Sequence, residues 1–123
     1  VHVFIVIGSL FGFLGVVLGA FGAHALRDKL TTERMAVFQT GVQYQMYHAL
    51  ALVGIGVLGI ATPHPTSTLT LAGWLFTAGT VLFSGSLYAL CGSGIRKLGA
   101  ITPLGGVAFL LGWLLLFLTA LHL

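Results

Sequence analysis

Arg27-Asp28-Lys29-Leu30-Thr31-Thr32-Glu33-Arg34 holds five of the chain's seven charged side chains, and the other two are the neighbours Arg96 and Lys97. Outward from these two islands the 123 residues are apolar or small, with a hydrophobic share of 58% against 6% charged. The mean hydropathy is +1.10. A water-soluble domain carries charge on roughly a quarter of its residues, and this sequence cannot build such a surface. The reading that follows is an all-α polytopic membrane protein whose charged loops share one side of a bilayer.

Four apolar runs reach the roughly 20 residues that a spanning helix needs: roughly Val3–Leu26, Val42–Ala61, Leu69–Cys91 and Ala100–Leu121, within helices expected at about 3–26, 33–61, 69–91 and 100–122. Arg27-Asp28-Lys29 ends the first. Thr62-Pro63-His64-Pro65 breaks the second, because two prolines cannot continue a helix, and Thr66 to Thr68 offer caps for the third. Gly92-Ser93-Gly94 followed by Arg96-Lys97 ends the third, and Thr102-Pro103 suits the first turn of the fourth. The first run continues to about Leu26 with no basic segment before it, so it is expected to remain as a helix rather than serve as a leader. The whole chain is expected to form a single four-helix transmembrane domain, residues 1–123.

Lys and Arg occupy the first and third loops and are absent from the second. Basic loops stay on the cytoplasmic side, so residues 27–41 and 92–99 are expected there, with both termini and the Pro63 loop external. Thr32 is the expected cap of the second helix, with Glu33 in its first turn. Gly15–Leu26 slides onto Gly79–Leu90 with matching Gly, Val, Leu, Ala and Leu, and the same register aligns Gly41 with Gly105. Two hairpins of one orientation, related by a twofold axis along the membrane normal, would explain it. Chance similarity among small aliphatic residues would explain it equally well.

Gly8, Gly12, Gly15, Gly19 and Gly22 recur at four, three, four and three residues, which holds a glycine seam on one face of the first helix. Another backbone can approach such a seam closely. Gly105, Ala108 and Gly112 make a shorter version on the fourth helix. On the second helix Gln39, Thr40, Gln43, Tyr44, Tyr47 and His48 sweep half the circumference, with Gln45 outside the arc. Polar side chains are costly in hydrocarbon unless they face one another. The arc is therefore expected to point inward, towards His24, Ser84, Ser86, Tyr88 and Thr102.

Three uses compete for that cluster. A hydrogen-bond network that sets helix register weighs most, because membrane helices commonly use such residues as glue. A shallow site or path for a small polar solute or ion comes next, and haem ligation by His24 and His48 third. No Asp or Glu lies within a span, which speaks against a carboxylate-driven proton pump. His2, His64 and His122 are isolated at the far end, so no metal site is expected. Cys91 is the sole cysteine, leaving no internal disulfide and no Cys-based redox motif. Nucleophile elbows, P-loops and paired carboxylates are missing, so no enzyme is expected. The net charge of +3 lacks the basic face that nucleic acid requires.

LGAFGAHAL (Leu18–Leu26), FQTGVQYQMYHALAL (Phe38–Leu52), GTVLFSGSLY (Gly79–Tyr88) and ITPLGGVAFLLGW (Ile101–Trp113) together resemble the YgdD/YwdK-type family of small bacterial inner-membrane proteins, a domain of unknown function. The resemblance implies four spans in a bacterial inner membrane and brings no reaction, substrate or cofactor. The expectation is an inner-membrane protein without enzymatic activity, acting as an oligomer or as a small accessory subunit of a larger membrane complex. Its partners would be the lipid bilayer and other membrane chains. A small-solute or ion transporter is the rival reading, and a haem-binding subunit the third.

Overall fold

The computed structural model describes all 123 residues, and every regular element in it is helical. Four helices are long and apolar enough to cross a membrane: α1 (Val3–Leu26), α2 (Thr32–Ala61), α3 (Ser67–Ser93) and α4 (Thr102–Leu121), the last entered through a tight turn at Arg96–Ala100. At 1.5 Å per residue α2 is about 45 Å long, against a hydrocarbon thickness of about 30 Å. One end of it must therefore project.

Local chemistry sets the ends. Thr31 caps α2, one residue before the expected Thr32, because it takes the extended conformation and its hydroxyl accepts the Arg34 N–H at 3.1 Å. Thr66 caps α3 in the same way through the Leu69 N–H at 3.3 Å. α3 stops at Gly94, whose φ of 72° lies where only glycine is unstrained, and whose N–H closes on the Leu90 carbonyl at 2.8 Å. Pro103 sits in the first turn of α4, where its missing N–H is harmless.

Consecutive helices pack on one another, α1 on α2, α2 on α3 and α3 on α4, while α1 and α4 share no comparable interface. The central pair α2 and α3 is consequently the more buried. Alternation of direction brings both charged segments to one end of the bundle, where they touch. The Cys91 thiol donates to the Arg34 carbonyl at 3.2 Å, and the Arg34 guanidinium lies beside Gly94. The two hairpins run in the same orientation, but they do not close into a twofold ring. Gly41 and Gly105, aligned in sequence, both lie against α3, on Tyr88 and Phe83 respectively. A true twofold would send them to different helices.

Glycines decide how closely the helices approach. The α1 seam lies along α2: Gly8 on the Ala49 carbonyl and Val53, Gly12 on Ala49, Gly15 on Met46, Gly19 on Val42, Gly22 on Phe38. Between Val17 and Gly22 the helix widens to i→i+5 hydrogen bonds, with Gly19 and Gly22 in the wide turn. Gly105 and Gly112 of α4 seat Phe83 and Phe76 of α3 in the same manner. The core between them is Phe4, Leu52, Ile55, Leu69, Phe76 and Phe109. Outside it bulky residues such as Phe13 and Leu110 are about two-thirds exposed or more, at 67% and 72%, as suits a surface solvated by lipid.

A methyl group at Gly8 would stand 2.7 Å from the Ala49 carbonyl oxygen, whereas one at Gly106 would meet nothing within 4 Å. Gly8→Ala should lower stability by about 1–3 kcal/mol through overpacking. Gly106→Ala should be neutral or slightly stabilising. Thermal unfolding of the detergent-solubilised chain measures both.

Candidate functional site

The polar groups inside the bundle form a ladder that ties all four helices together. Its central rung is Gln45 of α2. The Gln45 Nε2–H donates to the Phe11 carbonyl of α1 at 2.8 Å, and its Oε1 accepts from the Tyr88 hydroxyl of α3 at 2.7 Å. Gly15 lets α1 approach at this level, since a Cβ there would collide with the Met46 side chain next to Gln45. One turn nearer the charged end, the Ser84 hydroxyl donates to the Gly41 carbonyl at 2.6 Å. That bond crosses α3 to α2 at a place where glycine bares the backbone.

His48 supplies the link to α4. Its Nδ1 is 2.7 Å from the Tyr44 carbonyl, which can only accept, so the ring proton sits on Nδ1. Nε2 is then free to accept the Trp113 Nε1–H at 3.0 Å. Only the neutral imidazole satisfies both neighbours. The ring stacks on Phe109 at 3.6 Å between centroids and 5° between planes. Ser86 and Thr102 join α3 to α4 through their hydroxyls at 2.5 Å. At the opposite end of the bundle Thr68 and Thr119 pair at 2.8 Å. No buried side-chain polar atom is left without a partner.

The structure puts Ser84 and Tyr88 between α2 and α3, His48 between α2 and α4, and Ser86 and Thr102 between α3 and α4, as separate contacts rather than one cluster. Tyr44 stands at the rim, its ring packed on Phe83 with centroids 4.6 Å apart. It does not bring in Gln39, Thr40, Gln43, Tyr47 or His24, all of which are exposed on the outside of the bundle. Gln45, placed outside the inward arc by the sequence reading, is only 5% exposed. The cause is the small-residue face of α2. Gly41, Ala49, Gly56 and Gly59 are buried on the side that carries Gln45 and His48, because close backbone approach there buries more surface than the polar arc could. The position of these small residues was the signal that could have found Gln45. The donor role of Trp113 is not legible in the sequence, since it depends on where His48 stands.

His24 and His48 stand at different depths of the bundle. Gly12 lies level with Ala49, and His24 is twelve residues further along α1, about 18 Å down the axis from the depth of His48. Both His48 nitrogens are already engaged. At the far end His64 and His122 line one groove, yet no three His, Cys, Asp or Glu side chains come close enough to share a metal.

Beside the ladder a groove of about 360 Å³ opens between α1 and α3. Phe11, Leu14, Leu18 and Val81 form its walls, and Gln45, Thr80, Ser84 and Tyr88 its floor. The floor hydroxyls donate within the protein, to Phe76, Gly41 and Gln45, and keep lone pairs free to accept. The ladder contains no charge and no nucleophile beside a base. Its chemistry is hydrogen bonding alone.

Residues 18–106 match the family described as protein of unknown function, DUF423. The chain belongs to that family. It is 50% identical to the UPF0382 membrane protein YwdK of Bacillus subtilis, covering 96% of this chain and 95% of that one. A UPF0382 membrane protein of Staphylococcus epidermidis is 47% identical over 97% of this chain and 95% of its own length. The Staphylococcus haemolyticus protein SH2409 is 48% identical over 94% and 93%. No solved structure matches the chain. With four spanning helices and relatives named as membrane proteins, this DUF423 protein is an integral membrane protein.

Gln45→Leu strands the Tyr88 hydroxyl and removes the α1–α2 rung. It should destabilise the bundle by about 1–2 kcal/mol, seen as a lower unfolding midpoint of the monomer in detergent. Gln43→Leu should leave that midpoint unchanged, since Gln43 makes no hydrogen bond inside the chain.

Proposed function

We propose that this DUF423 protein is a non-enzymatic subunit of the bacterial inner membrane, working as an oligomer or as a small component of a larger membrane assembly. The observation that carries this reading is the outward strip of Gln39, Gln43 and Tyr47 on α2. Gln43 stands nine residues past Arg34, about 13 Å along the helix axis from the charged end. Where that strip lies inside the hydrocarbon, an amide costs free energy against acyl chains and is normally found facing protein. The inward polar groups, by contrast, are satisfied within the chain and ask for no ligand. By the distribution of Lys and Arg, the charged end faces the cytoplasm and the His64 loop faces outward.

Extraction of native membranes in mild detergent, with light scattering and identification of co-purifying chains, tests the reading. The expected result is a protein mass above the 12.9 kDa of one chain. A lone monomer in detergent, with no partner crosslinked in the intact membrane, overturns it. Cysteines placed at Thr31 and Thr66 should label from opposite compartments, Thr31 from the cytoplasm.

The α1–α3 groove favours a second reading, passage or binding of a small polar solute over the Gln45, Ser84 and Tyr88 floor. Proteoliposome flux should then fall in Gln45→Leu and Ser84→Ala variants that still fold. Flux unchanged by both removes it.

A further inference from the structure

We infer that the outer face of α2 is the contact surface for a second copy of this chain, forming a parallel dimer about an axis along the membrane normal. The inference rests on the proposed assembly role and names its partner. Thr40, Gln43, Tyr47, Leu50, Gly54 and Val57 follow one another at three, four, three, four and three residues, and every one of them is exposed. That spacing is the seam of a helix pair wound at 3.5 residues per turn. From Thr40 to Val57 it runs about 26 Å, nearly the full hydrocarbon thickness.

Spacing and an open glycine do not alone separate this face, since α3 exposes Leu71, Trp74, Ala78, Val81 and Gly85 at the same intervals, with Gly85 equally open; the amide without a partner does. α1 turns Val6, Leu10, Phe13 and Val17 outward, and α4 turns out Leu110, Leu114, Phe117 and Leu121. Those are bulky apolar faces that acyl chains solvate well. The α2 seam instead holds an amide, two hydroxyls and a glycine on which an added Cβ would meet no neighbouring helix within 4 Å. Among side chains within α2, hydrogen bonds are formed by Thr40, Gln45 and His48. Gln39, Gln43 and Tyr47 form none.

The polar part of the seam lies towards the charged end and the apolar part towards the other, so an occupant must offer hydrogen bonds at one depth and close packing at another. A second copy does so of necessity. Loop charges orient all copies alike in the bilayer, and a twofold axis along the normal sets each seam residue against its own counterpart. The carboxamide of Gln43 both donates and accepts, so two of them meeting at the axis satisfy each other. Gly54 lets the backbones approach in the other half.

Disulfide crosslinking of the full-length chain in native membranes tests this. Cys91→Ser gives the background, the serine hydroxyl keeping the bond to the Arg34 carbonyl. Gln43→Cys, Leu50→Cys and Gly54→Cys sample the seam; Leu10→Cys, Gly85→Cys and Leu110→Cys sample the outer faces of α1, α3 and α4. Dimers are expected at the seam positions with at least tenfold less at the controls, in variants whose unfolding midpoints confirm folding. Gln43→Leu should weaken the dimer of the otherwise native chain roughly tenfold in detergent dilution. Dimers at Leu10, Gly85 or Leu110 with none on the seam overturn this interface and leave the oligomer reading standing. An adduct with a different protein at the seam overturns the second copy as occupant while keeping the accessory-subunit reading. Monomer at every position, with no adduct, overturns both.

Discussion

Hydrocarbon offers no hydrogen bonds, and the architecture follows from what that demands of Gln45. Its amide can be buried only if both ends find partners, and it finds them on two different helices, the Phe11 carbonyl and the Tyr88 hydroxyl. Those partners are within reach because Gly15 and Gly41 let α1 and α3 come close to α2. Glycine seam and polar rung are thus one device. The seam supplies van der Waals contact and proximity, and the rung makes any other register costly.

The same demand repeats at each level of the bundle. Ser84 on Gly41, His48 between Tyr44 and Trp113, Ser86 on Thr102 and Thr68 on Thr119 each close one gap between neighbouring helices. A network with every member satisfied rigidifies a core. Such an interior is suited to holding four helices in one arrangement, and the unspent hydrogen-bonding capacity of α2 lies on its outside.

Much of this was legible in the linear order of residues. The two charged islands set four spans and place both charged loops at one end, and contact between Arg34 and Gly94 agrees with that. The glycines of α1 declared a packing face, which α2 covers. Membership of a polar residue in the interior was much harder to read. On α2 the polar arc and the small-residue face diverge by more than a quarter turn, and the arc was taken as the inner side. Polarity alone turns Gln39, Gln43 and Tyr47 inward and leaves Gln45 off the arc, whereas the structure exposes the first three and buries Gln45.

The sequence by itself determined the solvent, the number of spans and the shared end of the charged loops, because transfer of charge into lipid is so costly that local composition decides it. Which face of α2 turns inward was decided only by tertiary structure. Small residues and amides on one helix compete for the same interior, and the winner depends on which neighbour fits against it. Gly41, Ala49, Gly56 and Gly59 admit α1 and α3, so their side of the helix was buried and the polar arc was left to face outward.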